Sequence, residues 1–273
     1  MAKTMKALMY DKAGRENSSV RQIPYPECGD DEIIIKVMSC SICKGAEHDH
    51  GKGTDLAKYP VVPGHEFAGY VHEVGKNVTA FKPGDRVTAD NTEYCGDCYY
   101  CRREESNYCP TFGSLGHNIN GGFAEFVRVK KEKVFHIPDH LSFNAAALSE
   151  PVACCIHAVD RANIRYGDTV VIFGAGSMAQ ILGQLFKASN AEKVYMIAGK
   201  SSKLELAAKY GIIPIEMDRN DYSVHEKALL KENPLGVDLI IDATGSTKVI
   251  SESMKLLKKG GTLLQYAIVH SGE

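Results

Sequence analysis

Apolar and polar positions change their rhythm once along the chain. In the first half, short apolar runs at 32–38, 67–74, 85–89 and 123–129 alternate with turn residues. Pro60, Pro63, Pro83-Gly84 and Gly121-Gly122 punctuate them. Such runs, bounded by glycine and proline, predict a β-rich domain of short strands. From about residue 150 the rhythm lengthens. Pro151, behind Ser149-Glu150, suits the first turn of a helix. Strands are then predicted at 169–173, 193–197, 212–217, 237–242 and 262–269, with helices over 177–189, 201–210, 221–232 and 247–258. Strands separated by helical segments imply βαβ units and a parallel sheet, giving an α/β chain with a β-rich domain over 1–154 and a doubly wound domain over 155–273.

Composition narrows the function classes. The chain has 273 residues, 44% hydrophobic and 24% charged, with a formal charge of −2. That is enough for two ordinary cores. The even charge balance speaks against nucleic acid as a partner. No apolar run approaches the roughly 20 residues needed to cross a bilayer, so no membrane partner is expected. The apolar stretch before Tyr10 is too short for a signal peptide. The expectation is a cytoplasmic protein. Nine cysteines, an odd number with four of them between 95 and 109, do not form a disulfide framework and point to metal.

Gly174-Ala175-Gly176-Ser177-Met178-Ala179 follows the first strand of the second half and opens a helix. It reads as G-x-G-x-x-A, a form of the dinucleotide fingerprint. Gly174 permits the tight turn, Gly176 the approach of a pyrophosphate, and Ala179 close helix–strand packing, while the helix N-terminus offers free N–H groups to phosphate. The second strand lacks the acidic residue that binds the ribose hydroxyl of NAD, and continues Ala198-Gly199-Lys200-Ser201-Ser202-Lys203. Small residues there, with Lys200 or Lys203 placed to pair with a 2′-phosphate, favour NADP over NAD.

Two sets of residues suit metals. Cys95, Cys98, Cys101 and Cys109 form a C-x2-C-x2-C-x7-C array. Four thiolates suit a closed, structural zinc site, and the same ligands suit an iron–sulfur cluster. The second set is dispersed: Cys43, then His65 and Glu66 within Gly64-His65-Glu66-x2-Gly69-x5-Gly75, and Glu150 at the junction of the halves. A thiolate, an imidazole and one or two carboxylates make a catalytic zinc site with a place open for water or an alcohol.

These motifs, in this order, resemble the zinc-containing medium-chain alcohol and polyol dehydrogenases, in particular the sorbitol and arabinitol enzymes. The resemblance runs from about Met5 to Ser271. It includes Pro83-Gly84-Asp85-Arg86-Val87, Gly121-Gly122-Phe123-Ala124-Glu125 and Glu150-Pro151. It implies a GroES-like domain that carries both zincs, followed by a Rossmann domain with five of its six strands present. It implies that Cys43 and His65 ligate the catalytic zinc, with Glu66 a third ligand or exchanging with water. Glu150 stands where the alcohol branch commonly has Cys and the polyol and threonine branches have Glu, which points the substrate toward polyols such as sugar alcohols. The implied reaction takes hydride from a secondary alcohol to the nicotinamide and yields a ketose or ketone. Cys154 and Cys155 are expected to pack near the cofactor, and the full-length family form to be a homo-oligomer.

The chain also departs from the family. Ser or Thr, then Asp, usually follow the first ligand at positions that here hold Gly45 and Ala46. His48 remains at the usual relay position, with Glu47 or Asp49 as neighbours that compensate. His50 and His72 read as polar loop or strand residues. Gly45 and Ala46 also support a second reading, a catalytically silent zinc- and nucleotide-binding relative. A zinc-ribbon nucleic-acid module is opposed by the charge balance, and a zinc-free quinone reductase would not need the Cys43, His65 and Glu66 set. Five strands before Ser271 suggest a fragment or truncated product with weakened oligomerisation and stability.

Overall fold

The computed structural model describes residues 3–53 and 56–269. By its contacts the chain divides into two compact units, Met1–Glu150 and Pro151–Glu273.

The first unit holds strands β1 Thr4–Tyr10, β2 Ser18–Pro24 and β3 Glu32–Ser41, helix α1 Lys44–Lys52, strands β4 Glu66–Val74, β5 Arg86–Ala89, β6 Thr92–Glu93, β7 Gly113–Ser114, β8 Phe126–Lys130 and β9 Val134–His136, and helix α2 Phe143–Ala146. Five strands form an antiparallel sheet in the order β8-β3-β4-β5-β9. Its core is Ile33, Ile35, Phe67, Val71, Val87, Leu115, Val127 and Val129. These come largely from the apolar runs visible in the sequence. Antiparallel pairing of β3 with β4 sets Ser41 opposite Glu66. That register fixes the start of β4 against the end of β3, where the candidate site lies.

Helix α3, Ser149–Ala162, carries the division after its second residue. The second unit continues with β10 Thr169–Phe173, α4 Ser177–Lys187, β11 Lys193–Ala198, α5 Ser202–Lys209, β12 Ile213–Glu216, α6 Ser223–Glu232, β13 Val237–Asp242, α7 Thr247–Ser253 and β14 Leu257–Gln265. The sheet is parallel, in the order β12-β11-β10-β13-β14. β10 is central and every one of its residues is buried, because helices cover a parallel sheet on both faces. One apolar cluster, around Ile172, Leu182 and Phe186, fills one face; the other, around Phe173, Tyr195 and Leu229, fills the opposite face.

The last strand departs from expectation. It starts at Leu257, not 262, and ends at Gln265, while α7 stops at Ser253 before a short 3-10 turn. Leu256 is buried, Val237 pairs with Leu257, and Lys258 forms an ion pair with Asp238. Together these pull the Lys258-Lys259-Gly260-Gly261 stretch into the sheet edge. No helix among the described residues is long and apolar enough to cross a membrane.

Candidate functional site

Among the described residues, two groups gather three or more metal-donor side chains, the donor atoms of each group lying within 4.8 Å of one another. The first is Cys95, Cys98, Cys101 and Cys109. The Cys95 N–H donates to Cys109 Sγ at 3.5 Å, and the Cys101 N–H to Cys98 Sγ at 3.5 Å. The Thr111 hydroxyl and the Cys95 N–H bring the Cys109 thiol down to about 6. The Cys101 N–H likewise lowers Cys98. Cys101 is pushed up to about 12, first by burial and then by the neighbouring Cys98. Thiols crowded this way resist ionising together until a cation neutralises them. The lobe has almost no core of its own. From 91 to 112 only Cys109 is buried, and Tyr99 and Tyr108 stand in solvent.

The second group is Cys43, His65 and Glu66. Cys43 precedes α1 as its N-cap residue. Gly64 has φ +89, and a Cβ there would come within 2.9 Å of Cys40 Sγ and 2.8 Å of the Phe123 nitrogen. Only glycine lets the chain turn so tightly, and the turn delivers His65 and Glu66 at the head of β4. His65 and Glu66 are buried and Cys43 is half-buried. His65 Nε2 lies 3.9 Å from Glu66 Oε1. Burial first, then the nearby His117 and His50, pushes the His65 imidazole down to about 4. It is therefore neutral at physiological pH, with a lone pair to offer. Burial raises Cys43, the Ala46 N–H lowers it, and Glu66 and Glu150 raise it further. Three mixed donors gathered out of solvent fit zinc and leave a fourth place for substrate.

Glu150 stands in the first turn of α3, outside the donor group, and acts on Cys43 through its charge. His48 also stands outside the group, on α1, with Nδ1 3.7 Å from Asp49 Oδ1. Glu47 accepts a hydrogen bond from the Tyr10 hydroxyl at 3.4 Å. Gly45 and Ala46 form the first turn of α1, and a Cβ at Gly45 would meet nothing nearer than Cys43 Sγ at 4.0 Å.

His50 corrects the sequence reading. It is a fully buried residue of α1, not a polar loop or strand position. Its Nε2–H donates to the Gly116 carbonyl at 2.7 Å, and the Tyr59 hydroxyl lies 3.5 Å from Nδ1. Its ring stacks on Tyr10. Such partners are what a buried imidazole requires. His72 is on β4, against Phe126.

In the second unit the glycine turn follows β10. Gly174 takes φ +110, and a Cβ there would press on the Ala243 carbonyl at 3.2 Å. Gly176 precedes α4, and the space where its Cβ would stand is open. Ser177, Met178 and Ala179 form the first turn of α4, with Ala179 buried in the sheet-facing core. The turn borders a cleft of about 390 Å³, also lined by Gly199, Lys200, Lys203 and Arg219. Among the described residues no carboxylate lines it. Arg219 was not singled out by the sequence; it follows β12 in an irregular stretch that carries no motif. Cys155 is buried, with Sγ 3.8 Å from the Met178 carbonyl and 3.5 Å from the Tyr266 hydroxyl, whereas Cys154 is exposed.

The family profile of the alcohol dehydrogenase GroES-like domain matches residues 29–139, and that of zinc-binding dehydrogenases matches residues 176–273. D-arabinitol dehydrogenase 1 of Uromyces fabae is 35% identical over 97% of this chain and 75% of its own length. D-arabitol-phosphate dehydrogenase of Enterococcus avium is 35% identical over 98% of this chain and 77% of its own. An NADP-bound structure from Sinorhizobium meliloti 1021, described as a zinc-binding dehydrogenase, superposes with a TM-score of 0.89 at 33% identity, covering 99% of this chain and 79% of that one. With the GroES-like and Rossmann-type units in this order, the chain belongs to the zinc-containing medium-chain alcohol and polyol dehydrogenases, nicotinamide-linked enzymes of alcohol and polyol oxidoreduction.

Proposed function

We propose that this enzyme oxidises a secondary hydroxyl of a polyol to the ketose, reversibly, with zinc held by Cys43, His65 and Glu66 and with NADP as the preferred acceptor. The observation that carries the reading is the gathering of those three donors within 4.8 Å. The Cys95, Cys98, Cys101 and Cys109 set would hold a second, structural zinc. Zinc in the mixed site would supply a Lewis acid that eases loss of the substrate's hydroxyl proton. The nicotinamide would supply the hydride acceptor.

The chain's own residues do the rest. Burial keeps the His65 imidazole neutral and so able to bind a cation. Glu66, buried beside it, balances charge in the site. His48, on the part-exposed face of α1 beside Asp49, would take the departing proton at a ring nitrogen and pass it to solvent. Glu150 shapes the field at Cys43 without joining the donors. The α4 N-terminus, with Gly174, Gly176, Ser177 and Met178, would hold the pyrophosphate.

The relatives named as arabinitol and arabitol-phosphate dehydrogenases support the polyol class. The test is a panel of pentitols and hexitols, with NADP or NAD, before and after removal of metal. Metal-dependent reduction of the nicotinamide is expected with at least one polyol. Turnover unaffected by metal removal, or none with any polyol, would falsify the reading.

The preference for NADP rests on Lys200, Lys203 and Arg219 around a cleft that no carboxylate of the described residues lines. Arg219→Ala is expected to raise KM for NADP about tenfold and leave KM for NAD nearly unchanged, since one well-placed charge contact is worth about 1.4 kcal/mol. Equal KM changes for both cofactors would remove Arg219 from 2′-phosphate recognition.

A further inference from the structure

A ligating histidine is ordinarily oriented by a hydrogen bond from its second ring nitrogen to a carboxylate, a carbonyl or water. His65 makes no side-chain hydrogen bond among the described residues. Ala46, buried in the first turn of α1, has no polar side chain to offer one. What lies against His65 is a ring. The His117 centroid is 4.9 Å from that of His65, with the planes 30° apart. His117 is itself fixed: its Nδ1 is hydrogen-bonded to Ser114 Oγ at 3.0 Å, and its ring stacks with that of His50 at 5.8 Å and 21°. His50 is pinned by the Gly116 carbonyl and stacks in turn on Tyr10 at 5.1 Å. All three imidazoles are at most 9% exposed.

From this arrangement we propose that His117 is a positioning residue for the mixed metal site, its ring fixing the orientation of the His65 imidazole by packing where a hydrogen bond would otherwise do so. The inference rests on the reading of Cys43, His65 and Glu66 as metal donors. Its physical basis is that a dense set of packed rings, with His117 and His50 each held by a hydrogen bond of its own, leaves His65 little freedom about its side-chain torsions. A donor held in one rotamer binds a cation with less loss of conformational freedom than one that must be ordered. Of the four rings in the column, only His65 belongs to the donor set.

The test uses the full chain stripped of metal and titrated with Co²⁺, whose absorption bands distinguish a four-thiolate site from one with a single thiolate. A competing chelator reports the two affinities. The wild type is expected to bind two ions. His117→Ala is expected to lose about 10- to 100-fold affinity at the mixed site, the range for loss of a partner that orients a ligand, with the four-Cys site unchanged. His117→Phe, which keeps a ring but not the hydrogen bond to Ser114, is expected to stay within a few-fold of wild type. An Ala variant with wild-type mixed-site affinity and spectrum would overturn the proposal. So would a Phe variant as weak as Ala while its four-Cys site still fills. Should Ala lose both sites through misfolding, the Phe variant decides by the same criterion. A wild type that fills only the four-Cys site refutes the mixed site itself, and that result is distinct from failure of the ring column.

Discussion

Cys43→Ser is expected to slow hydride transfer by about 10³-fold or more, because Lewis-acid stabilisation is worth several kcal/mol and each 1.4 kcal/mol is about tenfold in rate. The variant should still fold. Ser is close to Cys in size, and Cys43 is half-buried at a helix start, outside the apolar core. Bound metal should fall from two ions to one, with the remaining ion in the four-Cys lobe. A matched effect is expected for His65→Ala, whose neutral imidazole is a second donor. The measurements are metal content and kcat on the best polyol of the panel. A Cys43→Ser chain that has lost one ion and keeps the wild-type rate would separate metal from chemistry and sink the mixed site as the catalytic centre. A chain that retains both ions would show that Cys43 is not a required donor.

The second large effect is local unfolding. Cys109→Ser is expected to raise the rate of tryptic cleavage after Arg102 or Arg103 by about 100-fold or more, since a structural zinc contributes on the order of 10 kcal/mol to a small domain and cleavage follows the open population. The lobe has little else to hold it. Cys109 is its one buried residue between 91 and 112, and Tyr99 and Tyr108 contribute no core. Arg102 and Arg103 lie in the short 3-10 turn that begins at Cys101, exposed to protease once the turn opens. The rest of the first unit, with its own cluster around Ile33, Ile35 and Phe67, should keep its thermal transition. Cleavage unchanged from wild type, or equal for metal-loaded and chelated protein, would show that the lobe is held without a metal.

The legible parts of the molecule are those whose physics is local. The apolar run that follows Thr169 announced the strand β10, and the glycine turn after it announced its own geometry through Gly174. The four-Cys array was readable because its spacing lies within one short lobe. Three features were not readable, each because a distant residue decides it. The β14 strand begins in Leu257-Lys258-Lys259-Gly260, which has poor strand propensity; pairing with Val237 and the Asp238 ion pair override that. His50 is buried because Gly116 and Tyr10 come to meet it, and neither is near it in sequence. Arg219 borders the cleft because β12 ends there, although no motif surrounds it. The donors Cys43, His65 and Glu66 were nominated through the family resemblance; what the sequence could not supply was the ring column behind His65.

That column also sets an order of assembly. Cys95 and Cys109 are 14 positions apart, so the four thiols can meet as soon as their lobe leaves the ribosome. Tyr10 and His117 are more than a hundred positions apart, and β1, α1 and the segment after β7 must all be in place before the rings can stack. Contacts that span such separations pay their loop-closure entropy late. The thiolate lobe is therefore suited to capture metal during synthesis, while the mixed site gains its orientation only when the first unit is complete. Selective loading of the two sites would then follow from chain topology as well as from ligand chemistry.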